Sequence, residues 1–277
     1  MASDVTWAVP DHVPSDKVLD FDFYNFEVDD GECQIAMKRV LRAPGVPEVF
    51  WSPYNGGHWA VTRATQIADV LGDPTRFSSR QVTLPRQPPE ANTTVPLQLD
   101  PPEHMKYRRV LASGFSPQAI TPVADSARER ARSLIEGFRA QGECEFISEF
   151  AQYLPIDVFM SLVDLPHSDR TFLTETAELA VRGTASEQVE GRRRIGEYGL
   201  QKVQERRAKP GTDLISTIAK AEIDSEAIDE STVAGMVQLL LLAGLDTVTS
   251  MLGFVAQFLA KNPDHRAQLM EHPALIP

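Results

Sequence analysis

The chain has 277 residues, with 27 Lys and Arg against 39 Asp and Glu, a formal net charge of −12, and 42% hydrophobic positions. That balance suits a core-forming globular chain and excludes collagen-like or low-complexity sequence. It also speaks against general nucleic-acid binding, which needs clustered cations. The two cysteines, Cys33 and Cys144, cannot build a disulfide framework or an all-cysteine zinc site.

Residues 1–47 read as irregular, with Pro10, Pro14, Pro44 and Pro47 around the aromatic-acidic run FDFYNF (21–26). The start lacks a basic n-region and an apolar h-region, so no signal peptide is expected. EVFWS (48–52), the turn PYNGG and HWAVT (58–62) predict a β-hairpin, because two β-rich runs flank a glycine pair. ATQIADVLG (64–72) predicts a short amphipathic helix, and the proline-rich stretch 81–96 a loop. From Asp100 onward the pattern is helical, with candidates at 101–113, 117–141, 143–163, 167–181, 185–208, 212–221 and 226–262. The expected fold class is mainly α with a small N-terminal β part. It forms one domain in which 1–98 precede a helical body over 99–277.

The segment 229–263 is the strongest single feature. Acids open it, Lys261 closes it and Pro263 stops it, as the helix dipole and proline sterics prefer. It is apolar nearly all round and should run through the core. Its most apolar part, Met236 to Leu245, is short and carries Gln238, so no membrane span is expected. The centre breaks the pattern with Ala243-Gly244-Leu245-Asp246-Thr247. A Thr hydroxyl can bond the carbonyl one turn back, near Ala243, and an ionised Asp in a core needs a partner. Two readings stand: close packing at the glycine beside a self-satisfied threonine, or a groove with an acid and a hydroxyl placed for proton delivery.

LDPPEHMKYRRVLASGFSP (99–117) is the second feature. Asp100 can cap the helix, with Glu103 three residues on as in a capping box. His104 and Arg108 share one face at i and i+4, and together can bind carboxylates or a phosphate. The run also reads as an ordinary solvated face.

LLLLAGLDTVTS (239–250) resembles the central helix of cytochromes P-450, with its A/G-G-x-D/E-T pattern. DPPEHMKYRRVLASGFSP resembles the helix of that family that carries an H-x-x-x-R pair. RRAKPGTDLIS (206–216) is similar to the segment preceding the central helix. FDFYNF, NGGHWAVTR, RFSS and FLAKNPDHR look most like its soluble bacterial camphor-hydroxylase subfamily. The family's E-x-x-R helix and heme-cysteine loop are not found before Pro277, and Glu129–Arg132, Glu190–Arg193 and Cys144 stand in the wrong places for them. The resemblance therefore covers the N-terminal two-thirds of the family's fold, and the axial cysteine is expected beyond Pro277.

The resemblance implies a cytoplasmic monooxygenase with heme b (iron protoporphyrin IX), O2 and a small apolar substrate. A non-catalytic helical module that binds heme or another hydrophobic ligand is the alternative. It implies that Thr247 and Asp246 serve oxygen activation and proton relay, with Glu178 and Arg182 holding Asp246. His104 and Arg108 would meet the heme propionates, and Ala243–Gly244 would admit O2. Thr83, Asn92, Leu97, Leu239 and Leu242 would line the substrate pocket. Asn92 stands where the subfamily has a ketone-binding tyrosine, and Arg80 where it has a cation-binding acid. A terpenoid or norisoprenoid of roughly 10–13 carbons, selected by shape, and no metal beside Arg80 are therefore expected. The electron donor would be an acidic iron–sulfur ferredoxin docking on Lys106, Arg108 and Arg109.

Overall fold

The structure, a computed structural model, describes residues 6–26, 33–84, 86 and 93–276. The chain divides into two compact units, 1–104 and 105–277. In the first, the expected hairpin forms from β1 (Val49–Ser52) and β2 (His58–Val61), antiparallel with Phe50 opposite Ala60 and Trp51 opposite Trp59. Phe21, Leu41, Phe50 and Ala60 make its core, with Phe23, Phe26 and Met37 packed against it. The run FDFYNF alternates between this aromatic cluster and the polar side, where the Asp22 carboxylate accepts from the Tyr24 N–H at 2.8 Å and from Asn55 Nδ2 at 2.9 Å. Among the described residues of 1–47 there is more regular structure than expected. A helix, α1 (Cys33–Leu41), supplies Met37 and Leu41 to the core. The helix at 64–72 is found as α2 (Ala64–Gly72).

The next helix, α3 (Glu103–Ala112), begins in the first unit and continues into the second. Its start corrects the expected cap. The Asp100 carboxylate turns away to accept from Ser78 Oγ at 2.6 Å and the Ser79 N–H at 2.8 Å, with Arg80 Nε 3.4 Å away. These bonds hold the Asp100 carboxyl below the usual carboxylate range.

In the second unit follow α4 (Pro117–Arg139), α5 (Tyr153–Leu162), α6 (Arg170–Arg182), α7 (Ala185–Ala208) and α8 (Leu214–Ala219). The single helix expected over 143–163 is interrupted by a π-helical turn, Ile147–Ala151, where the Gln152 N–H reaches back to the Ile147 carbonyl at 2.9 Å. Pro155 has no N–H to offer residue 151, so the wider turn costs no hydrogen bond there. A two-residue hairpin, β3 (Glu222–Ile223) with β4 (Glu226–Ala227), takes the place of the start expected for the long helix at 226. That helix, α9, runs Glu230–Lys261, and the Asp229 side chain caps it by accepting from the Thr232 N–H at 2.9 Å. A last helix, α10 (Pro263–Glu271), starts on the proline that ends α9.

The α6–α7 and α7–α9 pairs are the most extensive, and α9 also packs on α5, α6 and α8. Val233, Met236, Val237, Leu241 and Leu245 of α9 are buried. Beyond Leu245 most of the apolar face of α9 is open in this chain, although Thr249 is buried. Met251 is 61% exposed, and Val248, Phe254, Val255 and Phe258 are each about half exposed. By length and composition alone these 32 residues suffice to cross a membrane, a test that the core helix of a soluble protein also passes. Its first half is nonetheless spent on packing against its helical neighbours.

Candidate functional site

The site is built on α9 at the point where its apolar surface turns from buried to open. Thr247 donates its hydroxyl to the Ala243 carbonyl at 2.8 Å, the bond the sequence suggested. Both residues are exposed, while Leu245 between them is buried. The groove expected at Ala243–Gly244 is one-sided. A Cβ on Gly244 would sit 2.4 Å from Phe159 Cδ2, so this glycine is filled from α5 and allows the two helices to approach. The open side belongs to Ala243 and Thr247. The side chain of Asp246 lies outside the described residues.

On α6, Glu178 and Arg182 are exposed one turn apart. Arg182 Nη2 reaches α9 at Ser250 Oγ, 3.4 Å away and one helical turn beyond Asp246. The structure therefore brings Arg182 onto the central helix. Leu239 and Leu242 are half-buried on α9. In the first unit Thr83 is half-buried and Leu97 is 48% exposed, while Asn92 lies outside the described residues.

On α3, His104 is half-buried, and Arg108 and Arg109 are exposed with no hydrogen bond or ion pair among the described residues. Lys106 differs from its neighbours, because its Nζ lies 2.6 Å from Asp224 Oδ2 at the tip of the β3–β4 hairpin. An exposed pair of this kind contributes about 0–1 kcal/mol and exchanges readily.

A heme is a flat apolar macrocycle with two carboxylates at one edge. The open apolar face of α9 from Ala243 to Phe258 and the uncommitted guanidinium of Arg108 suit such a group. Cys144 is exposed between helices, and the side chain of Cys33 lies outside the described residues, so the axial ligand is not found among the described residues.

Sequence reasoning missed a polar cluster on α4 and α5 centred on Asp157, a buried carboxylate held by Arg130 and Arg170. The only sequence signal was an acid inside the apolar run LPIDVFM.

No family model matches the chain. The solved structure of CYP101J2 superposes with a TM-score of 0.83 at 36% identity, covering 97% of this chain and 67% of that one. A probable cytochrome P-450 127A1 of Sinorhizobium fredii is 29% identical over 97% of this chain and 66% of its own length. CYP268A2 of Mycobacterium marinum, solved in complex with pseudoionone, superposes with a TM-score of 0.76 at 25% identity, covering 88% of this chain and 64% of that one. The helical architecture around the long central helix α9 is the cytochrome P-450 fold. The chain belongs to the cytochrome P-450 family, and it spans about two-thirds of the length of these relatives.

Proposed function

We propose that the protein is a heme-thiolate monooxygenase that hydroxylates a small apolar terpenoid or norisoprenoid in the bacterial cytoplasm. The carrying observation is the local geometry of α9, where the Thr247 hydroxyl bonds the Ala243 carbonyl on an exposed face bordered by apolar side chains. Heme, when bound, supplies O2 activation and the insertion of one oxygen atom into a C–H bond.

The chain's own residues take the remaining tasks. Thr247 already spends its proton on Ala243, so its oxygen lone pairs are free to hold a water on the open side. Asp246, next to it, moves protons toward that water. Arg182, anchored at Ser250, steadies the acid's charge, and Glu178 one turn earlier on α6 completes the relay. His104 and Arg108 take the two heme carboxylates, which as anions favour a cationic partner. The apolar residues Leu239, Leu242 and Leu97 exclude water from the substrate, with Thr83 and Asn92 as polar contacts that orient it.

The electron donor is an acidic iron–sulfur ferredoxin meeting Arg108 and Arg109, with Lys106 released from Asp224 on docking. The substrate class rests on the aliphatic lining, and the Mycobacterium marinum relative solved in complex with pseudoionone supports a small apolar ligand. The test is the absorption spectrum of the reduced, CO-treated protein expressed at its natural length. A strongly red-shifted Soret band is expected, and its absence in a heme-loaded sample refutes thiolate ligation. Titration of candidate ketones against the heme spin state then tests the substrate class, and a complete, tight shift with camphor would overturn it.

A further inference from the structure

In the second unit, α4, α5 and the turn entering α6 border a half-open pocket of about 220 Å³, lined by Ser126, Arg130, Asp157, Val158, Ser161, His167 and Arg170. Its floor is Asp157, whose side chain is 6% exposed. Arg130 Nε bonds Asp157 Oδ2 at 2.5 Å, and Arg170 Nη2 lies against Oδ1. His167 Nδ1 stands 3.8 Å from the same oxygen and 3.5 Å from Arg170 Nη2. Two guanidiniums thus face one carboxylate, with the His167 imidazole at the rim.

The donors are not used up. Arg170 Nε is buried without a hydrogen-bond partner among the described residues. Arg130 commits only its Nε to a described residue, leaving both terminal nitrogens. The Ser126 and Ser161 hydroxyls are turned onto the carbonyls of Pro122 and Asp157, so they present lone pairs and can rotate. An unpaired buried guanidinium donor costs as much as any orphaned polar group, and more for its charge. In a chain of net charge −12, this pocket is an island of excess positive charge.

We propose that this pocket binds a phosphate group, free or carried by a small organic monoester. A planar carboxylate is matched by one guanidinium fork. Here the open donors come from Arg130 on α4 and from Arg170 and His167 on the turn entering α6, approaching from two sides, which suits an oxyanion with oxygens pointing in several directions. Asp157 repels the anion less than a bare carboxylate would, because Arg130 bonds its Oδ2 and Arg170 lies against Oδ1 as an ion pair, although Oδ1 accepts no hydrogen bond among the described residues. The site involves neither the α9 threonine nor the α3 cations, so it stands whether or not the proposed oxygen chemistry does.

The test is calorimetric titration of the full chain with inorganic phosphate and with glycerol phosphate at constant ionic strength, with sodium chloride as the blank. One saturable site per chain is expected for at least one of the two, and none for chloride. Tighter binding of glycerol phosphate assigns the site to an organic monoester, and tighter binding of inorganic phosphate to the free ion; both support it. Arg170→Gln is expected to lose binding but also removes a partner of Asp157. Ser126→Asp therefore provides the second variant, one helical turn from Arg130 on an exposed position. Its carboxylate takes the place of the anion, so affinity should fall by about tenfold or more while the thermal midpoint without phosphate rises. Absence of phosphate binding above the chloride blank overturns the proposal, as does unchanged affinity in both variants.

Discussion

Gly191 of α7 lies where α7 comes close to the backbone of α6. A Cβ there would meet the Ala180 backbone nitrogen at 2.5 Å and Ala180 Cα at 2.8 Å, where ordinary contacts begin near 3.4 Å. The obstacle is main chain, so no rotamer change can relieve it and α6 must retreat by most of an ångström. In Gly191→Ala, crowding of this kind costs about 2–3 kcal/mol, and the better helix propensity of alanine returns about 1 kcal/mol. A net loss of about 1–2 kcal/mol follows, or a fall of roughly 4 °C in thermal midpoint for a body of this size. Gly235→Ala is the control, because nothing lies within 4 Å of the Cβ it would carry on α9. That variant keeps only the propensity gain and should be stabilised by about 0.4–1 kcal/mol. Far-UV circular dichroism follows both, since most of the helix belongs to the second unit. The same chemical change is thus expected to act with opposite signs at two sites. A Gly191→Ala protein as stable as the parent would refute the claim that the α6–α7 spacing is set at this residue.

Asp157→Asn leaves Arg130 and Arg170 facing each other without their counter-charge; urea unfolding should show a loss of about 3 kcal/mol, the low end for a broken buried pair because both arginines are partly exposed. Asp229→Ala removes the cap of α9 and should cost about 1 kcal/mol at pH 7. The bonds from the Thr232 hydroxyl and N–H and from Ser231 lower the Asp229 pKa from its usual value to about 2 in the folded protein. Its contribution is therefore complete above the unfolded value and lost as pH falls through the folded one. The gap between parent and variant in acid titration should narrow below about pH 4 and close near pH 2. Arg109→Glu should slow reduction by an acidic ferredoxin and flatten its salt dependence in stopped-flow measurements, since complementary charge acts mainly on association rate. Thr247→Ala should divert reducing equivalents to hydrogen peroxide with little change in stability, and full coupling of electrons to product would remove its assigned role.

Much of the fold was legible wherever the deciding physics is local. The hairpin at 49–61, the helices at 64–72 and 185–208 and the cap-to-proline extent of α9 follow from turn glycines, capping side chains and periodicity within a few residues. The Thr247–Ala243 bond belongs to the same class, being one helical turn long. The sequence could also name His104 with Arg108 and Glu178 with Arg182 as helix-face pairs, because spacing alone places them. It could not say what any of them meets. That Gly244 is filled by Phe159, that Arg182 lands on Ser250 and that Lys106 is held by Asp224 are decided by contacts 68 to 118 residues apart along the chain, or by the approach of one helix to another. The apolar residues beyond Leu245 look alike in the sequence to those before it. Only the neighbours present, α5 to α8 over the first half, make one set buried and leave the other open. The Asp157 cluster carries the same lesson. A carboxylate in an apolar run signals an unmet need for charge, and only the folded chain shows that α4 and α6 each bring an arginine to meet it.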